Sequence, residues 1–345
     1  MVTSGLGTRA GGIGVVAQMM VSALSPYADV SAWVHPPFWP RWARIPTVAW
    51  RVGAGSLRRP DLVIYDHVHL AVLHSVIPTL RNVPYVVFLH GVEVWETLSG
   101  TRQDALLRAN LLLTNSATTE AEARKNNPWL PKVQVVWLGV NKQSRAADIV
   151  ASPPLGVMVG RMVGLERYKG HDAVLDAWPI IRAAVPEAKL IIVGGGNDAA
   201  RIRQRILNEN LAGIDFRGRV SDAERDDIYL RCRLLLLPSK GEGFGLAPVE
   251  AASFGVPLLG LAGTVTEELF PNGAGAVLAK QLDKASIAEA AIPVLADAKY
   301  AAKLGELARA RVQSVFLEEH FMERIRAALS PLLPKAGLTK EGIAE

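Results

Sequence analysis

The sequence predicts an α/β protein built from two doubly wound parallel sheets, and three observations predict it. Short apolar runs alternate with stretches of helical periodicity, the pattern of parallel strands covered by helices. A polar, Pro-terminated stretch without an apolar period, "NKQSRAADIVASPP" at residues 141–154, divides that alternation into two halves. The chain's 345 residues, 50% hydrophobic and 21% charged, suffice to bury more than one core.

Taken in order, the expected strands of the first half are "VSAWVH", "DLVIYDH", "YVVFLHG", "LLLTNS" and "VQVVWLG". Those of the second half are "LGVMVGR", "KLIIVGG", "IDFRGRV", "RLLLLPS" and "VPLLGLA". A doubly wound unit ordinarily opens with a buried strand feeding a glycine-rich turn. Only Met1 to Ser4 precede "GLGTRAGGIG", so either the first strand is very short or the natural start lies upstream. No tandem repeat and no low-complexity tract interrupts the pattern. The expected division is a domain at 1–145, a second at 146–317, and a helical segment at 318–345 that packs back on the first domain.

Composition removes several function classes. No apolar run is long enough to cross a membrane, and "MVTSGLGTRAGG" lacks the charged start and apolar stretch of a signal peptide, so a cytoplasmic chain is expected. The single cysteine, Cys232, can form neither an internal disulfide nor a thiolate cluster, and within "RCRLLLLP" it reads as a buried small hydrophobe. Residues 1–145 carry 14 Lys/Arg against 8 Asp/Glu, whereas the remainder carries 24 against 25, so an anion is expected to meet the N-terminal half. The pI near 9.3 comes without a nucleic-acid-binding motif or a continuous basic helix, which argues against a nucleic-acid partner.

Four stretches carry chemistry. In "GTRAGGIGVVAQMMVSAL" a glycine loop enters an amphipathic helix, where Gly12 and Gly14 would let backbone N–H groups approach a phosphate. The spacing is not the G-x-G-x-x-G fingerprint, and a simple tight turn explains it equally well. "FLHGVEVW" places His90 and Gly91 at the carboxyl end of a strand, the edge where open α/β sheets bind ligands, although a histidine capping a strand needs no ligand. "VGRMVGLERYKGHDAVLDAW" sets Arg161, Arg167 and Lys169 before a helix, an arrangement suited to a diphosphate or, more simply, to a solvated basic loop. In "SKGEGFGLAPVEAASFG", Pro248 fits the first helical position and puts Glu250 at the third, where a carboxylate stabilises the helix dipole by about 0.3–1 kcal/mol without any ligand. Helix stability does not explain Glu242, which sits among Gly241, Gly243 and Gly245 as though the backbone wrapped closely around something small.

The Glu-x7-Glu pair on a glycine-rich turn, following "GR…KGHD" and "FRGRVSDAE", resembles the family-four retaining nucleotide-sugar glycosyltransferases of the GT-B fold, over nearly the whole chain. More narrowly, "LHGVEVW" with "ERYKGHD" resembles bacterial exopolysaccharide mannosyltransferases that use GDP-mannose and a polyprenyl-diphosphate-linked oligosaccharide. The resemblance implies two Rossmann-like domains facing each other across a cleft, with the acceptor on 1–145 and the nucleotide sugar on 146–317. It implies that Arg161 and Lys169 hold the donor diphosphate and Glu242 touches donor-sugar hydroxyls. Glu250 would accept from the ribose, while Gly243, Phe244, Gly245 and Leu246 present backbone N–H groups. It places Val220 against the base, Gly12 and Gly14 over the diphosphate, and His90 beside the sugar's outer hydroxyls. Seven residues separate Arg161 from Lys169, a longer gap than many members of that family show, which leaves Arg167 able to share the role of Arg161.

No Asp-x-Asp triplet occurs, so the expected reaction needs no metal and no cofactor beyond the nucleotide-sugar co-substrate. A UDP-sugar donor, or a donor-binding but inactive subunit of a polysaccharide assembly complex, is the alternative. On the acceptor side, residues 33–60 hold Trp33, Phe38, Trp39, Trp42 and Trp50 among Arg41, Arg44, Arg51, Arg58 and Arg59. Tryptophan with arginine suits peripheral contact with an anionic membrane, and a core-facing helix with a solvated rim is the plainer reading.

Overall fold

The computed structural model describes residues 1–3, 5–7, 11–34, 50, 52–55, 57 and 59–333. The chain forms two compact units: Met1–Gly139 with the segment from Glu318 onward, and Val140–Leu317. Most of the residues named above for a membrane face, Phe38, Trp39, Arg41, Trp42, Arg44, Arg51 and Arg58, lie outside the described residues.

Among the described residues the first unit contains six parallel strands: β1 (Val2–Thr3), β2 (Trp33–Val34), β3 (Val63–Tyr65), β4 (Tyr85–Leu89), β5 (Leu111–Thr114) and β6 (Val133–Val135), in the order β2-β1-β3-β4-β5-β6. The opening strand is therefore present and only two residues long, with Val2 fully buried and paired to both Trp33 and Tyr65. Strands β3 and β4 are buried at every position, as expected where helices cover both faces of a parallel sheet. Tyr65, Val87, Leu89, Leu98, Leu106 and Leu112 belong to the resulting core. The helix Glu318–Leu329 packs against the helix Gly11–Leu24, and the Arg326 guanidinium stacks over the Tyr27 ring at 4.9 Å.

The second unit contains β7 (Leu155–Val159), β8 (Lys189–Val193), β9 (Ile214–Gly218), β10 (Leu234–Leu236), β11 (Leu258–Leu261) and β12 (Ala276–Ala279), all parallel, in the order β12-β11-β10-β7-β8-β9. Strand β12 was not expected from the sequence, because "AVLA" is short and rich in alanine; it pairs along its whole length with β11. The core joins Trp178, Ile181, Leu190, Ile192, Leu234, Leu236 and Leu259, and Cys232 is fully buried as expected. Burial pushes the Cys232 thiol up to about 12, so it stays protonated and inert.

The stretch read as a linker is bonded within the second unit. The Val140 N–H donates to Phe316 O at 2.8 Å, the Ala147 N–H to Phe254 O at 2.7 Å, and Arg309 to Gln143 O at 2.9 Å. The order of strands places a topological switch point between β7 and β10, where successive crossovers depart to opposite sides and the carboxyl ends leave a crevice. In the first sheet the corresponding point lies between β1 and β3.

Candidate active site

In the second unit, the loop after β7 carries Arg161, Arg167 and Lys169, and the loop after β10 carries Glu242, so both emerge at the switch point. Lys169 is 8% exposed and its ammonium is ion-paired with Glu242. That contact joins residues 73 positions apart and ties the two loops together. Glu166 also approaches Lys169, at 4.0 Å, and accepts from Arg161 at 2.7 Å. Burial beside Glu166 and Glu242 pushes the Tyr168 phenol up to about 12.

Two glycines of the Glu242 loop, Gly241 and Gly245, have reasons other than closeness to a small ligand. A Cβ at Gly241 would come within 2.6 Å of the Tyr168 ring, so Gly241 lets this loop lie against the neighbouring one. Gly245 caps the helix Leu246–Ser253 with φ at +80°, a conformation that favours glycine. Phe244 points inward, buried, with its ring edge-on to Phe316. The helix begins at Leu246, which corrects the expected placement of Pro248 at the first position. Pro248 is the third residue and Glu250 the fifth, beyond the first turn. Proline is tolerated there because the first four helical N–H groups have no intrahelical acceptor. Glu250 is therefore not a dipole-stabilising residue. Its side chain retains 31% exposure and faces Arg225 at 3.8 Å; burial raises its carboxyl above the usual range, and Arg225 partly offsets that. The helix N-terminus has no side-chain cap, which leaves its first N–H groups directed at the loop edge.

Arg167 does not share the environment of Arg161. Its guanidinium makes two hydrogen bonds, of 3.2 and 3.1 Å, to Asp198. Asp198 also accepts from Arg201 at 2.9 and 2.7 Å, and Arg201 in turn holds Asp172 at 2.8 Å through two nitrogens. Arg201 first and Arg167 second hold the Asp198 carboxyl down to about 2.

Three features of this edge escaped the reading of the sequence. The Gly194–Gly196 run lets backbone meet backbone, since a Cβ at Gly194 would stand 1.7 Å from Gly160 O and one at Gly196 would stand 2.0 Å from Met162 O. Arg219 lies across Gly195, and Val220 follows it, half-buried, just past β9. His171, quoted within "KGHD" but given no role, is buried beside Lys169; burial first and that ammonium second lower it to about 4, so it is neutral. The triple glycine was the one available signal, but it reads as a turn.

In the first unit, Gly12 and Gly14 lie inside the first turn of the helix Gly11–Leu24 rather than in the loop before it. Gly14 is buried and its carbonyl accepts from the Gly7 N–H at 2.9 Å, which fixes the turn. His90 follows β4, with its own N–H accepted by Glu93 and its carbonyl receiving Asn115 Nδ2 at 2.8 Å. Its Nε2 stands 2.7 Å from Asp66 O; a carbonyl can only accept, so Nε2 carries a proton. His67 is a neighbour that sequence reasoning missed, lowered to about 4 chiefly by burial and partly restored by Glu93. Asn127 fastens the segment beyond His90, donating to Val94 O and Glu96 O and accepting from the Leu98 N–H.

Residues 140–311 match the family described as Glycosyl transferases group 1. That match spans nearly the whole of the second unit. O-antigen chain mannosyltransferase C of Escherichia coli is 27% identical over 159 residues, covering 45% of this chain and 42% of the relative, so the chain spans less than half of that protein. The structure of sucrose-phosphate synthase from Thermosynechococcus elongatus superposes with a TM-score of 0.79 at 19% identity, covering 96% of this chain and 95% of the other. Anabaena HepE, solved in complex with UDP and glucose, superposes at 0.74 with 18% identity, covering 95% and 99%. These likenesses show the fold: α/β, GT-B, two Rossmann-like halves of six strands each. The matched residues 140–311 contain all the expected site residues except Gly12, Gly14 and His90, which belong to the first unit.

Proposed function

We propose that the chain is a retaining glycosyltransferase that moves a sugar from a nucleoside-diphosphate donor, GDP-mannose, to a lipid-linked oligosaccharide or another glycan. The observation that carries this reading is the Lys169–Glu242 pair at the switch point of a group 1 glycosyltransferase domain. Breaking the bond from anomeric carbon to phosphate leaves an oxocarbenium-like sugar and a more anionic diphosphate. Fixed cations at Lys169 and Arg161 would stabilise that transition state more than the ground state. The departing phosphate oxygen would take the acceptor hydroxyl's proton on the same face, so no protein nucleophile is needed. Glu242 would orient the donor sugar and Glu250 would accept from the ribose, while the uncapped N–H groups at Leu246 and its neighbour would receive anionic oxygen. Gly12, Gly14, His90 and Val220 are assigned to the donor by family resemblance alone. With cations serving the leaving group, turnover should survive EDTA; loss in EDTA with restoration by magnesium or manganese would overturn this part.

A UDP-sugar donor is the second reading, favoured by the HepE complex with UDP and glucose. A thermal-shift panel of GDP-, UDP- and ADP-sugars separates the two, because a ligand at 100 times its Kd adds about 2.7 kcal/mol to stability. A selective shift with GDP-mannose supports the first reading, one with a UDP-sugar selects the second, and no selective shift counts against both. Donor hydrolysis in the absence of acceptor distinguishes an enzyme from a donor-binding inactive subunit. Peripheral contact with an anionic membrane through residues 33–60 is part of the proposal; within that stretch Trp50 and Leu57 expose 72% and 74% of their surface. Among the described residues no helix is long and apolar enough to cross a membrane. Neutralising Arg58 and Arg59 together should weaken binding to anionic vesicles at low salt, and unchanged binding would remove the membrane from the proposal.

A further inference from the structure

The cations of the loop after β7 are all paired, but not in the same way. Arg167 is held by two hydrogen bonds to Asp198, a carboxylate only 7% exposed and shared with Arg201. Lys169 is buried and paired across the switch point with Glu242. Arg161 exposes 66% of its side chain, and its partner is Glu166, five residues along the same loop. Glu166 is itself the break in the short helix Gly164–Lys169, with φ −110° and ψ 25°. One carboxylate oxygen bonds Arg161 at 2.7 Å; the other is buried without a hydrogen bond and points toward Lys169, 4.0 Å away.

A buried carboxylate oxygen without a donor is costly, and a carboxylate between two cations lowers the positive potential that an incoming anion would meet. Three cations of this loop thus stand against three carboxylates, Glu166, Glu242 and Asp198. A diphosphate entering here must displace one of them. Asp198 is locked by its two arginines, and Glu242 reaches Lys169 from the loop after β10. Glu166 holds the exposed Arg161 by a single hydrogen bond, the pairing that breaks most cheaply.

We propose that Glu166 is a built-in counter-ion, occupying Arg161 and Lys169 in place of the donor diphosphate and setting donor affinity by competing with it. This rests on the proposed function, since it takes the same cations to be the diphosphate site. The experiment measures binding of GDP, UDP, ADP and inorganic diphosphate by calorimetry in the unaltered protein, Glu166→Gln and Glu166→Ala, with guanosine and uridine as phosphate-free controls. Removing the charge should tighten the diphosphate ligands by about three- to tenfold and leave the nucleosides unchanged. Glu166→Gln keeps the side-chain shape, and Glu166→Ala tests the same loss of charge if the glutamine refills the hydrogen bond to Arg161. Diphosphates that bind the unaltered protein, but no more tightly to either variant, would overturn the counter-ion while leaving the donor site standing. Weaker diphosphate binding in both variants would show that Glu166 orients Arg161 for the ligand, and would equally overturn it. If the unaltered protein binds none of the four diphosphates, the donor reading falls, and the counter-ion with it.

Discussion

Asp198 and Glu250 lie in the same unit, each facing arginine, and their carboxyls are displaced in opposite directions. Asp198 accepts four hydrogen bonds from Arg167 and Arg201 and is held down to about 2. Glu250 faces one arginine at 3.8 Å, and burial raises it. The first region has spent its charge on itself and is a clamp between the loops after β7 and β8. The second has a desolvated carboxylate with spare acceptor capacity, the condition of a group awaiting a donor from outside. Lys169 and Glu242 fall between these extremes, paired with each other but at the crevice.

The widest test of that contrast is turnover. Lys169→Met should lower kcat by about a hundred- to thousandfold, as for removal of one preorganised charge stabiliser, whereas Asp198→Asn should leave kcat within a few-fold. Equal losses in steady-state assays would dissolve the distinction between clamp and site. Next in size, Glu242→Ala should lower kcat by about ten- to a hundredfold, because the contact proposed for it is to the reacting sugar. Glu250→Ala should mainly raise the donor KM, because a ribose contact changes little along the reaction. A folded Glu242→Ala enzyme with full kcat would sink the assignment.

Stability should show the reverse pattern. Asp198→Asn should cost about 1.5–3 kcal/mol in urea unfolding, the worth of hydrogen bonds to a charged group. Because the folded value of Asp198 lies below its ordinary 3.8, its contribution is full above that pH and fades as pH falls through about 2. The gap between the unaltered protein and Asp198→Asn should therefore narrow on acidification, and a constant gap would assign the loss to packing. Glu250→Gln should change Tm least, by about 2 °C or less and upward rather than downward at neutral pH. A raised carboxyl weakens the folded state as pH climbs from its ordinary value through the raised one, and the amide removes that cost.

Much of the fold was legible because buried parallel strands advertise themselves: "YVVFLHG" and "KLIIVGG" each yield a strand whose end coincides with the first glycine or histidine. Ala276–Ala279 was not, since "AVLA" lacks β-branched weight, and Val2–Thr3 was legible only as one alternative, a very short strand, since two residues carry no period. At the site, "GEGFG" was readable as an unusual loop, but the purpose of its glycines was not. The contact of Gly241 with Tyr168 joins segments far apart in the chain, which no local pattern records. For the same reason Asp198, an ordinary residue in "GGGNDAAR", gave no sign that it anchors two arginines. The placement of Pro248 failed because proline suits any of the first few helical positions, and the αL glycine before Leu246 decided between them.

The helix Glu318–Leu329 has a consequence for the order in which the protein is made. It packs on Gly11–Leu24, yet the ribosome emits the whole of Val140–Leu317 between them. The unit begun first is thus the last to be finished, and until the late helix arrives, the helix Gly11–Leu24 lacks part of the cover it has in the completed fold. A chain cut short at Leu317 would carry a complete second unit tethered to an incomplete first one, the kind of species that chaperones retain and that aggregates when they do not.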